Sequence, residues 1–575
     1  MSKKKKGIII ASFCFLVIAL LLIFDLSTEK LGFVSTVKSF LEANGEPRKE
    51  YNFNYDWKFS LGEGKYNSES DYTHYCLKTD HNVCVDAKAL PSDDYEVVST
   101  VSVIANADAV YDDGYDISGF ETVSAPDTYN DTDSFDNLNE GISSQNGDRS
   151  TYSGTAWYKK EFFVPSSYEG KKVYIEFEGV RQAMTIYING QILDGSNPND
   201  TDLAGKYENG FIPVGYDLTP FLKYNATNTI TVLADNSFPY NMDSNYTING
   251  SSTSKVLWHN SHWHPNYGGI YRNVNLYVMD ELHLTLPLYS FIQGEGTYIY
   301  ASNIEKTTAT VNVDPQIQNS SSTPRTFTVK SSVYDVNNIL VGSATSESIT
   351  LSAGGKETYH LEINLTDVKR WSTDYPYLYT VKTEVIENGS TIDNNSDEIG
   401  IREFKITNDY GFYLNGNFEE LNGWGQKSTM EWAGLGSAYP DWMTDYVIKL
   451  MKDANANYVR WGHTAGSPTQ IESCDKYGIL VTQPGVDSEG NYNGTYDINS
   501  AKLRIEAFRD LIIYFRNNPS IIMWEMGNEG SFNINLNSEY ISSIAGLDTT
   551  STSASIWELL YTLIEQYDYG IVILL

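Results

Sequence analysis

The chain has 575 residues and a formal net charge of −34, from 40 Lys and Arg against 74 Asp and Glu. So acidic a chain excludes nucleic acid as a partner, because phosphate binding needs a basic face. Apolar residues make up 41% and aromatics 13%, enough for large cores and room for three or four domains, which excludes a wholly disordered chain.

The pattern at the N-terminus is that of an address. Lys3, Lys4, Lys5 and Lys6 precede an apolar run from Gly7 to Phe24, closed by Asp25. The run is longer than a signal-peptide core and shorter than a spanning helix. Residues 1–30 are therefore either a cleaved signal peptide or a signal anchor that touches the membrane. Under both readings the lysines stay inside and the chain beyond about residue 30 is extracytoplasmic. Four cysteines are too few for a disulfide-dense scaffold. Cys76 and Cys84 could pair in an oxidising compartment or remain two thiols, and Cys474 reads as a core residue.

From about Tyr51 to Val278 the pattern is β. Alternating runs recur, such as 172–177 and 184–188, and the second ends in Asn189-Gly190, a hairpin-turn signal. The segment at about 62–150 is rich in Asp, Ser, Asn and Gly and reads as long surface loops or an insertion. Between 283 and 403 further short strands, such as 309–313 and 377–381, occupy a length that suits one immunoglobulin-like β-sandwich.

At about residue 419 the rhythm changes to alternating strand and helix. A first strand ends at Asn422-Gly423-Trp424, and a helix opens near Asp441 with Met443, Val447, Leu450, Met451 and Ala454 on one face. A second strand covers 458–461, a helix passes through Cys474, and a third strand covers 479–482. A third helix carries Phe508, Leu511, Ile512 and Phe515, and a fourth strand begins at Ser520. Residues 570–575 read as a fifth strand or as a tail. Repeated βα units predict a parallel sheet covered on both faces, and four of them match half of a (β/α)8 TIM barrel.

Active sites of such barrels lie at the C-terminal strand ends, and polar residues cluster there. They are Trp424 and Gln426 after strand one, Arg460 and His463 after strand two, Gln483 and Asp487 after strand three, and Asn528 and Glu529 after strand four. A glutamate at a barrel mouth can be desolvated enough to act as a general acid. Asn528 can donate a hydrogen bond to a sugar hydroxyl, Arg460 can orient a carboxylate, and His463 can bond a hydroxyl. Eight histidines without Cys/His spacing give no zinc signature.

The stretch Asn518-Pro519-Ser520-Ile521-Ile522-Met523-Trp524 followed by Gly527-Asn528-Glu529 resembles the acid/base signature of glycoside hydrolase family 2. That family contains β-galactosidases, β-glucuronidases and β-mannosidases. Further pieces resemble it in the family's domain order: 156–158 with Phe162 and Gly190, Trp263 with 268–274, 376–379, 400–402 and 411–416. The resemblance implies a multidomain chain with a jelly-roll β-sandwich over 48–281, an immunoglobulin-like sandwich over 283–403 and the N-terminal half of a TIM barrel over 410–575.

It also implies a retaining β-glycosidase, β-galactosidase-like, acting on terminal β-linked sugars of an oligosaccharide or glycoside. Glu529 matches the acid/base, Asn528 the neighbour that holds the 2-hydroxyl, and Arg460 and His463 the strand-two pair that shapes the sugar pocket, with Trp424 and Asp487 beside them. The family's nucleophile is a glutamate on strand seven. Only 46 residues follow Glu529, where strands five to eight need more than ~100, so a chain cut short within the barrel is expected. A non-catalytic carbohydrate-binding surface protein is the alternative. Gly425-Gln426-Lys427 stands where the family often has a histidine and an acidic residue after strand one, and 483–489 departs from the acidic and histidine residues that help place a metal in galactosidases, so no cofactor is expected and a divalent metal has no support in these residues.

Overall fold

The computed structural model describes residues 47–66, 73–77, 80–87, 92, 94–97, 109–131, 152–181, 183–193, 206–207, 210–236, 247–248, 251–252, 267–407, 411–427, 432, 435–485, 498–525, 535–537, 553–555 and 572–574. The basic–apolar segment 1–30 lies outside them. Among the described residues no helix is long and apolar enough to cross a membrane.

The first domain is an antiparallel sandwich. Its four-stranded sheet runs in the order Lys49–Asn52, Val274–Asp280, Lys171–Phe177, Val214–Asp217. The facing seven-stranded sheet is built around Tyr152–Val164 and Ala226–Asp235. Trp57, Tyr158, Ile175, Phe177, Ile186, Val232 and Val274 from the two sheets form one buried core. The Asn189-Gly190 hairpin forms as read, with both residues at positive φ (50° and 81°) joining Ala183–Ile188 to Gln191–Ile192. Such a turn twists in the same sense as the strands it joins.

The polar segment at 62–150 holds more order than surface loops would. Thr73–Leu77, Asp80–Ala87 and Tyr95–Val97 make a three-stranded antiparallel sheet whose register sets Cys76 opposite Cys84. Glu121–Val123 forms the edge of the seven-stranded sheet, and Val110, Ala125 and Tyr129 are buried. Lys159 holds this return in place by donating from Nζ to the Val110 and Asp112 carbonyls at 2.8 and 2.6 Å.

The second domain is also a sandwich. One sheet centres on Thr308–Asn319 and the other on Arg325–Tyr334 and Tyr379–Glu387, with Val311, Val313, Val329, Val381 and Val385 between them. Arg48, just before the strand Lys49–Asn52, ties the two sandwiches together. Its guanidinium donates to both carboxylate oxygens of fully buried Asp393 (Nε to Oδ1 3.0 Å, Nη2 to Oδ2 2.6 Å), which also accepts from the Leu284 N–H. Removing one partner of a buried pair strands the other charge. Asp393→Ala is therefore expected to cost about 3 kcal/mol and to lower the urea or thermal midpoint, and Arg48→Met in the same chain should recover most of the loss. An unchanged midpoint for Asp393→Ala would refute this account.

The third domain is a parallel sheet in the order β1 (Gly423–Gln426), β2 (Tyr458–Trp461), β3 (Leu480–Pro484), β4 (Ile521–Glu525), β5 (Val572–Leu574). Helices α1 (Asp441–Asp453), α2 (Pro468–Tyr477) and α3 (Ile498–Phe515) connect it. The segment 572–574 is thus a fifth strand in parallel register with β4. In α1 the buried positions are Met443, Thr444, Ile448 and Met451, while Leu450 is 44% exposed. Pro440 caps α1, so Asp441 is its first helical residue rather than the cap read from the sequence. Ser467 and Gln470 close a capping box on α2, and Gly478 ends it in the left-handed conformation. Phe508, Leu511, Ile512 and Phe515 are buried as read, and Cys474 is a core residue.

A three-stranded antiparallel unit of Phe404–Thr407, Gly411–Leu414 and Asn417–Phe418 precedes β1. Its Phe412 and Leu414 pack with Trp371, Leu480 and Ile522 below the sheet. Arg402 donates to the Pro519 and Ile521 carbonyls at 2.6 Å each, which fixes β4 to the second sandwich. Gly400 permits that close approach, since a Cβ there would stand 2.7 Å from both Pro519 and Trp371.

Candidate active site

Residues paired directly in a parallel ladder share a face. Gly425 pairs with Arg460, and Arg460 with Thr482. Thr482 pairs with Met523, and Pro484 with Glu525. This face carries Tyr458, Arg460, Thr482 and Glu525. The opposite face carries Val459, Trp461, Val481 and Trp524, which pack against the helices. The first set therefore lines the inside of the sheet, with Arg460 and Glu525 near its C-terminal rim.

A register shift between Val481 and Thr482 gives β4 one extra residue against β3. Without it Trp524 would turn inward and Glu525 outward, so the irregularity aims the carboxylate at the mouth. Glu525 there takes the Arg460 guanidinium in a two-pronged contact, Nε to Oε2 at 2.7 Å and Nη2 to Oε1 at 2.5 Å. Below them the Tyr458 hydroxyl bonds Thr482 Oγ1 at 2.7 Å.

His463 lies two residues beyond β2. Burial, with Arg460 and Lys427 nearby, pushes its imidazole down to about 4. It is neutral at pH 7 and can donate to or accept from a hydroxyl. Lys427, the first residue after β1, adds positive charge on the same side. Among the described residues no group of three or more His, Cys, Asp or Glu could hold a metal ion.

Of the residues singled out from the sequence, Arg460 and His463 come together at the strand ends. Trp424 does not join them. It lies within β1, paired with Val459 on the helix-facing side, and is 44% exposed. The cause is parity: Trp424 shares the face of Val459, which packs against the helices, while Gly425 shares that of Arg460. Gln483 is also turned outward, fully buried, with its amide bonded to both the N–H and carbonyl of Gly466 at 3.2 and 3.4 Å. It holds the β2–α2 connection in place. Asp487, Asn528 and Glu529 lie outside the described residues. Sequence reasoning missed Glu525. Its signal was a carboxylate ending an apolar strand, eclipsed by the Gly-Asn-Glu motif just after it.

Two β-sandwiches followed by a parallel βα sheet with an Arg-carboxylate pair at its strand ends define a multidomain, barrel-type architecture. Three family models match in this order: Glycosyl hydrolases family 2, sugar binding domain, over 102–280; Glycosyl hydrolases family 2 over 292–402; and Glycosyl hydrolases family 2, TIM barrel domain, over 404–551. The chain belongs to glycoside hydrolase family 2.

A β-glucuronidase of Formosa agariphila is 40% identical over 425 residues, covering 74% of this chain and 41% of that protein. A β-galactosidase of Bacteroides ovatus is 29% identical over 378 residues, covering 65% and 40%. Among solved structures, a β-glucuronidase from glycoside hydrolase family 2 superposes with a TM-score of 0.72 at 34% identity, covering 92% of this chain and 46% of that one. The chain thus spans less than half the length of these relatives.

Proposed function

We propose that this chain forms the sugar-binding and acid/base part of a retaining β-glycosidase that releases a terminal β-linked sugar from a glycoside, with a β-glucuronide as its first substrate. The observation that carries the reading is the Arg460–Glu525 pair with His463 beside it, at the strand ends of a family 2 barrel. In this reading Glu529 protonates the leaving oxygen and later activates water, and Asn528 holds the 2-hydroxyl. A nucleophilic carboxylate from a later barrel strand stands about 5–5.5 Å away. The positive charge of Lys427 beside His463, together with the likeness to β-glucuronidases, favours an acidic sugar. The second reading, a β-galactoside, is supported by the Bacteroides ovatus relative. The same proposal places the protein outside the cytoplasm behind residues 1–30.

The test is a panel of 4-nitrophenyl β-glucuronide, β-galactoside and β-mannoside offered to the protein carrying this chain. The glucuronide is expected to lead in kcat/KM by at least about tenfold, which a difference of ~1.4 kcal/mol in transition-state binding supplies. A lead for the galactoside selects the second reading. No turnover of any of the three rejects hydrolysis and leaves a carbohydrate-binding protein, whose glycan binding Glu529→Gln would not alter.

A further inference from the structure

We propose that Glu525 is a positioning residue of this site: it clamps the Arg460 guanidinium in one orientation over the sugar-binding face. The inference rests on the β-glycosidase reading above and extends it to a residue outside the family motif.

Three observations carry it. First, an arginine at a barrel mouth has a long, rotamer-rich side chain, and this one keeps 36% of its side-chain surface exposed. A side chain of this kind loses much rotamer freedom when it is held, and the two-pronged contact with Glu525 is what sets its plane. Second, the contact is a fork, with Nε and Nη2 each bonded to a different oxygen of Glu525. That geometry sets the plane of the guanidinium as well as its position. Third, Arg460 and Glu525 sit on strands separated by β3, and the carboxylate faces the arginine only because of the extra residue in β4. Glu525 also lies four residues before Glu529 in the chain.

The pair is partly buried, with 36% of the Arg460 and 15% of the Glu525 side-chain surface exposed, and the two-pronged contact adds geometric definition as well as energy. Misplacing a contacting group by about 1 Å can cost around a hundredfold in rate. Glu525→Gln keeps the shape and removes the charge that grips the fork. It is expected to lower kcat by about 10- to 100-fold, with KM within about threefold and a thermal midpoint close to the parent's. Arg460→Lys retains the positive charge without the fork and should show the same loss. Glu525→Asp should recover part of it, and the double variant Glu525→Gln/Arg460→Lys should be no worse than either single one.

Parent-like kcat in both Glu525→Gln and Arg460→Lys would overturn the inference while the glycosidase reading stands. Should Glu525→Gln fold poorly, the Arg460→Lys result decides on its own. A parent inactive on every β-glycoside rejects the underlying reading, and this assignment with it.

Discussion

Glu529→Gln is expected to reduce kcat on a β-glycoside with a poor leaving group by about 10² to 10⁴-fold, the usual contribution of one general acid–base residue. The variant keeps the side chain's shape and loses only its proton. A retaining glycosidase uses that proton twice, first for the departing oxygen and then, in reverse, for the incoming water. The two steps respond differently to the substrate. A nitrophenolate leaves readily without protonation, so on 4-nitrophenyl glycosides the first step survives and the second becomes limiting. Azide, which needs no base to attack, should therefore restore turnover of the nitrophenyl substrate and leave that of an alkyl glycoside depressed. The basic limb of the pH–rate profile, which reports the acid in its protonated form, should disappear in the variant. Parent-like rates on both substrates, with an unaltered pH profile, would remove Glu529 from the acid/base role. The measurement bears directly on a residue whose position in the motif, Gly527-Asn528-Glu529, is its chief support.

The parts of this chain that were legible in its sequence are those in which one periodicity dominates. Tyr458–Trp461 is a short strand between two helices, and Phe508, Leu511, Ile512 and Phe515 fall on one helical face, so both could be read directly. Where two patterns overlap, the reading falters. Helix α1 carries a buried stripe through Met443, Ile448 and Met451, and a second apolar stripe of Trp442, Tyr446 and Leu450 that is 69%, 50% and 44% exposed. Spacing cannot say which of the two meets the sheet, and Leu450, expected on the buried one, lies on the exposed one. Trp424, on the outer side of β1, is likewise 44% exposed.

The site was harder still to read, because its polar residues are sorted by parity. Strand neighbours point to opposite faces, so a shift of one residue exchanges the whole set. Gln483 was expected at the mouth and faces the helices. Glu525 was passed over and faces the mouth, through an irregularity between β3 and β4 that depends on how the strands pair and leaves no mark in either strand alone.

The contact between the first sandwich and the barrel is expected to make stability fall as pH rises. Glu178 follows the strand Lys171–Phe177 and is only 7% exposed. Asn273 Nδ2 stands within 3.1–3.3 Å of four carboxylate oxygens, two from Glu178 and two from Asp441 at the start of α1. Asn54 fixes the direction of that amide, donating to Asn273 Oδ1 at 3.0 Å while its own Oδ1 accepts from the Val274 N–H. One NH2 group has two protons for these four oxygens. Burial, reinforced by the charges of Glu176 and Asp441, accordingly pushes Glu178 up from 4.5 to about 8. The folded protein keeps a proton there that the unfolded chain releases near pH 4.5. The resulting contribution, about 5 kcal/mol, is fully present below that pH and is lost as pH climbs through about 8. Glu178→Gln retains an acceptor for Asn273 and cannot ionise. Its thermal midpoint should match the parent's near pH 4.5 and exceed it increasingly towards about pH 8.5. Buried Asp475, held up to about 7, and Asp127 and Asp397, held up to about 6, slope both proteins in the same sense. Glu176 and Glu472, raised by burial and close enough to act on Glu178, slope both proteins the same way, so the difference between the two curves reports Glu178 together with its effect on them. Parallel midpoints from pH 4.5 to 8.5 would show that this carboxyl is ionised in the folded protein and that the junction between the domains is not proton-linked through it.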